Sequence, residues 1–174
     1  MRMKIFFLII FYLIFSVKLS FAEKIESINV QGNNRISDET IIIFSKFNVG
    51  DELNNENANK IIKNLYETNF FKEVSVNSSN STLNIQIVEN PIIQNISILG
   101  VKNKNTIKAI EAQLTIKEKG SFVNVLINKE INRINNYLRS GGYYFSSVSA
   151  DIVYNNNDTV NINYNINTGD KAVI

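Results

Sequence analysis

The side chains that carry most enzyme chemistry are scarce in this chain of 174 residues, which contains no histidine and no cysteine. Neither a Ser-His-Asp nor a Cys-His relay can be built without them, and zinc rarely accepts carboxylates as its only ligands. Carboxylate pairs remain as candidates for acid and base catalysis. They are Asp38 with Glu39, Asp51 with Glu52, and Glu67 with Glu73. Because each lies in a predicted cap, turn or exposed face, we predict no enzyme activity, no metal site and no cofactor.

The chain carries one motif twice, which indicates a tandem repeat. Its first copy consists of Ile25, Ile28, Val30 and Gly32, and its second copy of Ile93, Ile96, Ile98 and Gly100 at the same spacing. A helical pattern, an aromatic turn and alternating apolar and polar residues follow each copy, so we expect two copies of one small domain. Glycine closes each motif, where it easily supplies a positive φ angle.

Each copy predicts the order strand, helix, helix, strand, strand. In the first copy Ser37 and Asn54 are good N-caps, and Asn69 ends the second helix because asparagine tolerates the left-handed conformation. Strands are expected over residues 71–77 and from Leu83 onward. We predict an α+β fold made of tandem β-α-α-β-β modules, each with two helices over a three-stranded sheet.

The second copy repeats this order further along the chain. We expect its strands over residues 92–98, 144–154 and 159–166. Its second helix carries Ile127, Ile131, Ile134 and Leu138 along one apolar stripe, which is typical of a core-facing helix.

The first 22 residues have the pattern of a secretory signal peptide. Two basic residues precede an apolar run of 13 residues that ends at Val17, shorter than the about 20 needed to span a bilayer. Small residues lie before Glu23, so we expect cleavage after Ala22, with a retained membrane anchor as the alternative.

We place the first module at residues 23–91 and the second module at residues 92–167, joined by a short, stiff junction at Pro91. Residues 168–174 are expected to be a linker and the opening strand of a third module, so that the chain is truncated there. The formal net charge of +2 does not favour a nucleic-acid partner.

With catalytic and metal-binding side chains excluded, the backbone N–H and C=O groups at a sheet edge remain as candidates for binding a partner. If the last strand of each module is central, the strand after the aromatic turn is an edge that can accept an extended guest strand. The predicted partner-binding residues on these two edges are Phe71, Val74, Val76, Tyr144, Val148 and Ala150. Such binding would depend little on the sequence of the guest strand, because main-chain hydrogen bonds supply the affinity.

Four motifs in order resemble the POTRA repeats of the BamA (YaeT) family of outer-membrane β-barrel assembly factors. They are Ile25-x-x-Ile28-x-Val30-x-Gly32-Asn33-x-Arg35, Val49-Gly50-Asp51-x-Leu53, Leu65-Tyr66-x-Thr68-Asn69-x-Phe71-x-x-Val74, and Ile87-x-Glu89-x-Pro91-x-Ile93-x-x-Ile96-x-Ile98-x-Gly100. Asn69 stands where glycine is usual in the family, and Val101 replaces the usual asparagine.

The resemblance implies a periplasmic region of an outer-membrane protein, in a family with five such repeats followed by a membrane barrel. Its expected partners are unfolded outer-membrane proteins, accessory lipoproteins of the assembly complex, and the outer membrane through a C-terminal barrel missing from these residues. The clients would pair with the sheet edges.

Several alternatives stay open. Two-partner secretion transporters and TamA-type translocation factors carry similar repeats, and the division protein FtsQ carries one repeat behind a retained anchor. A free periplasmic spacer or binding module, and a small secreted enzyme that uses two carboxylates, are the alternatives from other classes.

Overall fold

The structure is a computed structural model that describes residues 23–171. The predicted cleavage site after Ala22 and the last three residues of the expected third-module strand lie outside the described residues. Among residues 23–171, no helix combines the length and apolar character needed to cross a bilayer.

The first module contains three main strands and two helices. Their bounds are β1 Glu23–Lys24, β2 Ser27–Gln31, α1 Asp38–Ser45, β3 Glu52–Leu53, α2 Asn55–Glu67, β4 Phe71–Ser79 and β5 Thr82–Glu89. The sheet has the order β2-β5-β4, with β2 parallel and β4 antiparallel to the central β5. The short strands β1 and β3 form a separate ribbon that the sequence patterns did not predict.

The second module repeats this arrangement. Its elements are β6 Ile92–Leu99, α3 Lys104–Gln113, α4 Asn124–Ser140, β7 Ser147–Tyr154 and β8 Thr159–Asn167. The sheet order is β6-β8-β7, again with a parallel and an antiparallel neighbour for the central strand. The predicted α+β fold with three-stranded sheets is therefore confirmed.

Local chemistry sets the helix ends. The side chains of Ser37 and Asn54 accept hydrogen bonds from the backbone N–H groups of Thr40 and Asn57, as expected of N-caps. Asn69 has a φ angle of 61°, the left-handed conformation predicted for it. These three positions fix where the helices of the first module begin and end.

Each module has its own apolar core under the helices. The central strands contribute most to it: Ile85 and Ile162 are fully buried, as are Ile61 of α2 and Ile134 of α4. The other face of the sheets is polar. There the side-chain amide of Asn29 donates to the side-chain oxygen of Asn84 at 3.2 Å.

The two glycines that close the repeated motif are required by a close backbone approach. Gly32 and Gly100 have φ angles of 89° and 86°. A Cβ atom on Gly32 would lie 2.1 Å from the carbonyl oxygen of Ile87, and one on Gly100 would lie 2.0 Å from that of Ile166. The predicted positive φ angles are therefore present, and steric contact with the central strand adds a second requirement.

The junction between the modules is fixed by hydrogen bonds on both sides of Pro91. The N–H of Asn90 donates to the carbonyl of Phe70 at 2.7 Å, and the N–H of Phe122 donates to the carbonyl of Pro91 at 2.7 Å. The Arg35 guanidinium donates to the carbonyl of Asn90.

Glu89 holds the loop after β2 against this junction. Its carboxylate accepts the N–H groups of Asn34, Arg35 and Ile36 and pairs with the Arg35 guanidinium at 2.7 Å. Partial burial acts to raise the pKa of Glu89, but the hydrogen bonds from Arg35, Asn34 and Ile36 outweigh it and hold that pKa below its usual range. The carboxylate is therefore ionised and stabilising at neutral pH.

We expect Gly100→Ala to lower the free energy of unfolding by at least about 2 kcal/mol, because backbone must shift and the φ angle is strained. Gly50→Ala is the matched control: Gly50 has a φ angle of 99°, yet a Cβ atom there meets nothing within 4 Å. This control should cost about 1 kcal/mol. Chemical denaturation followed by circular dichroism measures both, and equal losses would contradict the steric explanation.

We expect Glu89→Gln to lower the free energy of unfolding at pH 7 by about 1–2 kcal/mol, since charged hydrogen bonds are lost. Because the folded-state pKa is lowered, the carboxylate's stabilisation is present above its ordinary pKa of 4.5 and is lost as the pH falls through the folded value. The difference between wild type and variant should therefore shrink in denaturation curves recorded below pH 4.5. A difference independent of pH would contradict this role.

Candidate strand-pairing edges

The backbone of β7 presents alternate residues to the outer edge of the second sheet. The N–H of Asn155 donates to the carbonyl of Thr159 at 2.9 Å, so Asn155 faces the central strand. In an antiparallel pair, successive residues alternate between facing the partner strand and facing away from it. The outward-facing residues of β7 are therefore Val148, Ala150, Ile152 and Tyr154.

The position of Gly100 supports the same assignment. Because the carbonyl of Ile166 points at Gly100 beside β6, it points away from β7. Val148, which lies opposite Ile166, must then direct its own N–H and C=O outward. Within residues 23–171 no other strand pairs with this edge.

The side chains of these outward residues do not themselves face a guest strand. Val148, Ala150 and Ile152 are half-buried and pack against the core of the second module. Val74 and Val76 of β4 likewise pack against the core of the first module. A partner that adds to either edge would therefore pair with main-chain groups, and its side chains would lie next to these residues on the faces of the sheet.

The edge of β4 is partly occupied by a side chain of the same module. The N–H of Val74 donates to the hydroxyl of Tyr66 at 3.2 Å, which shows that Val74 faces outward. By alternation Val76 faces outward as well. Sequence patterns do not predict this contact of Tyr66, because no periodic pattern relates a hydroxyl on one element to an N–H on the next.

The edge of β6 is covered by the loop between α3 and α4. Glu118 accepts the N–H of Ile96 at 3.0 Å, and Ile93 exchanges hydrogen bonds with Gly120 and Lys119 at 2.9 and 2.7 Å. A guest strand would have to displace this loop. In the described part of the second module, β7 is therefore the edge with exposed main-chain groups.

Phe71 and Tyr144 differ from the other predicted edge residues. Phe71 begins β4, but its ring is buried in the core with 3% exposure. The placement of Tyr144 in the edge strand is wrong, because β7 begins only at Ser147. The N–H of Ser146 bonds back to the carbonyl of Tyr143, which closes a turn and leaves Tyr144 at 59% exposure before the strand.

The candidate catalytic carboxylates have local structural partners. Asp38 accepts the Asn33 amide at 2.7 Å, and Asp51 accepts the N–H of Asn48 at 2.8 Å. Glu67 and Glu73 lie near Lys63 and Lys72 at 3.8 and 4.0 Å. No group of three or more acidic side chains that could hold a metal converges among residues 23–171. The absence of enzyme activity stays a prediction.

Two helices over a mixed three-stranded sheet, repeated in tandem, define an α+β tandem-repeat protein. The POTRA family, described as surface antigen variable number repeat, matches residues 23–90 and 91–169. The chain belongs to this family.

Relatives and solved structures agree with this assignment. The chain is 24% identical over 163 residues to "Outer membrane protein assembly factor BamA" of Neorickettsia risticii, covering 94% of this chain and 22% of that protein. It is 25% identical over 152 residues to the protein of the same name from Neisseria meningitidis, covering 86% of this chain and 19% of that one. The chain thus spans about a fifth of the length of these curated relatives.

The fold resembles the N-terminal domain of Omp85 from the thermophilic cyanobacterium Thermosynechococcus elongatus. The TM-score is 0.54 at 14% identity, and the match covers 80% of this chain and 61% of that one. At this identity the likeness concerns the fold alone.

We expect Tyr66→Phe to expose the N–H of Val74, because the variant loses only the hydroxyl that accepts it. Loss of one net hydrogen bond should speed amide exchange at Val74 by about 2- to 10-fold. Tyr137→Phe on α4 is the control and should leave Val74 unchanged. Hydrogen exchange followed by NMR measures this, and unaltered exchange at Val74 in the Tyr66 variant would contradict the assignment.

Proposed function

We propose that these modules lie in the periplasm as the POTRA region of an outer-membrane β-barrel assembly factor. In this role they receive extended segments of unfolded outer-membrane proteins by strand addition, and β7 is the principal receiving edge. The observation that carries the proposal is the row of outward main-chain groups on β7, from Val148 to Tyr154. The name of the two bacterial relatives supports the cellular role.

Strand addition suits clients of varied sequence. Main-chain hydrogen bonds form with any extended segment, and side chains next to the edge add selectivity. Transmembrane barrel strands alternate apolar and polar residues and are extended when paired, so they fit an edge that reads backbone. We further propose that accessory lipoproteins dock on this region, and that a C-terminal barrel joins it to the outer membrane.

The family assignment leaves other roles to be tested. Repeats of a two-partner secretion or TamA-type factor would also use a sheet edge, but the relatives carry the name of an assembly factor, which favours the first proposal. A free periplasmic spacer would have no client. Loss or retention of client binding in an edge variant separates the spacer from the receiving roles.

We expect Ala150→Pro to abolish strand addition on β7 without unfolding the second module. The N–H of Ala150 faces outward, so proline removes no hydrogen bond of the sheet, while its ring obstructs a guest strand. Affinity for a synthetic barrel-strand peptide should fall by roughly tenfold or more. Titration of the 15N-labelled chain, monitored through the β7 amides, measures the affinity.

Ala150→Val is the matched control, because it changes the side chain and keeps the N–H. It should bind the peptide as wild type does. Equal binding by the proline variant and wild type would sink the edge-pairing proposal. No binding by any of the three proteins would favour the spacer role.

A further inference from the structure

A cavity of about 370 Å³ lies at the junction of the two modules. Its walls come from both modules and from the connection between them, and its apolar lining residues include Phe71, Pro91, Phe122, Val125 and Tyr154. This volume is in the range of pockets that bind small apolar groups.

The walls of this junction cavity are held in place from several directions. The N–H of Phe122 donates to the carbonyl of Pro91 at 2.7 Å, and the rings of Phe122 and Tyr154 meet edge to face with centroids 6.0 Å apart. The ring of Phe71 is buried in the first core. The cavity is therefore formed in advance and needs little rearrangement to accept a guest.

Two apolar side chains that line the cavity are largely exposed. Val125 is 72% exposed and Tyr154 is 66% exposed, although both line a concave surface. Exposed apolar groups around a concavity are typical of a binding site, whereas scattered single ones are not.

The junction cavity continues the open edge of β7. Tyr154 is the last residue of β7, and its main-chain N–H and C=O groups face the open edge. Its side chain also lines the cavity. A strand that pairs along β7 from Ser147 onward therefore reaches the cavity at its end. Main-chain pairing and side-chain capture can then act on one extended segment.

We propose that the junction cavity binds one aromatic side chain of the client strand that pairs with β7. This inference rests on the proposed function. Strands of transmembrane barrels cross an apolar band of about 25 Å with aromatic residues at both ends. Because Tyr154 is the last residue of β7 and also lines the cavity, a client strand paired with β7 places a terminal aromatic side chain beside the cavity.

The charge of the cavity favours a neutral aromatic ring over a cationic side chain. Lys72 lines the cavity, its side chain is 64% exposed, and its nearest acidic partner, Glu73, lies at the limit of contact, 4.0 Å away. A second cation would be repelled, whereas the face of an aromatic ring attracts an ammonium group.

The test compares two synthetic ten-residue peptides of alternating valine and threonine, one with tyrosine near its end and one with alanine there. The tyrosine peptide should bind the wild-type chain about tenfold more tightly, since it buries a large apolar side chain. Val125→Glu should remove this difference. Val49→Glu is the control, because Val49 is 61% exposed and does not line the cavity, and it should preserve the difference.

The readouts separate this inference from the proposed function. If both peptides shift the β7 amides with equal affinity, strand addition stands and aromatic capture is overturned. If neither peptide shifts these amides, strand addition fails, and 4-methylphenol alone then tests the cavity. Saturable shifts of the Phe122 and Tyr154 ring protons in wild type, lost in Val125→Glu, support an aromatic site, and their absence overturns it.

Discussion

Both modules depend on one constraint, that the last strand of each lies between the other two. The parallel pairing of the first and last strands requires a long crossover, which the two helices and the edge strand of each module provide. The central strand is consequently the most buried, with Ile85 and Ile162 inaccessible to solvent. The same constraint drives the preceding strand to the edge, so the open edge is a consequence of how the core is built.

The central strand also decides how the modules are joined. Because β5 ends between its neighbours, Glu89 can reach the loop after β2 while Asn90 reaches the turn before β4. After β8, the side-chain oxygen of Asn167, the last residue of that strand, accepts the nearby N–H of Gly169 at 3.1 Å. A charged clamp thus fixes the exit from the first module, and a local turn shapes the exit from the second.

Sequence patterns could predict the features that depend on neighbours along the chain. Asn54 and Asn69 follow local rules for helix ends, and alternating residues such as Ile85 and Ile87 reveal a half-buried strand. The predicted start of β7 is too early, because aromatic residues such as Tyr144 have high strand propensity. A turn after α4 holds them outside the sheet. Tertiary geometry overrides propensity there.

The contacts that distinguish the edges could not be predicted in this way. The pairing of Tyr66 with Val74 and the coverage of Ile96 by Glu118 depend on how a helix or a loop approaches the sheet. The junction cavity likewise combines Phe71 with Tyr154, which are far apart in the chain. Residue types alone carry no signal for contacts of this kind, since they arise only after the strand order is fixed.

The open edge strand β7 carries a charged residue on its exposed face. Unpaired edges invite aggregation, and charged residues on an edge strand oppose it. Asp151 supplies that charge on the open face, where it accepts the Asn165 amide at 2.7 Å. The edge therefore keeps its main-chain groups available beside a charged residue on its exposed face.

Energetics explains why main-chain pairing alone would hold a client weakly. Four outward residues offer eight main-chain hydrogen-bonding groups. At about 0.5–1.5 kcal/mol net for each hydrogen bond, they contribute about 4–12 kcal/mol to binding. Association and ordering cost about 4–15 kcal/mol, which is of the same size. In the proposed role, a client would then be retained or released according to what its side chains add. An apolar cavity next to Tyr154 is placed where that addition would decide the outcome.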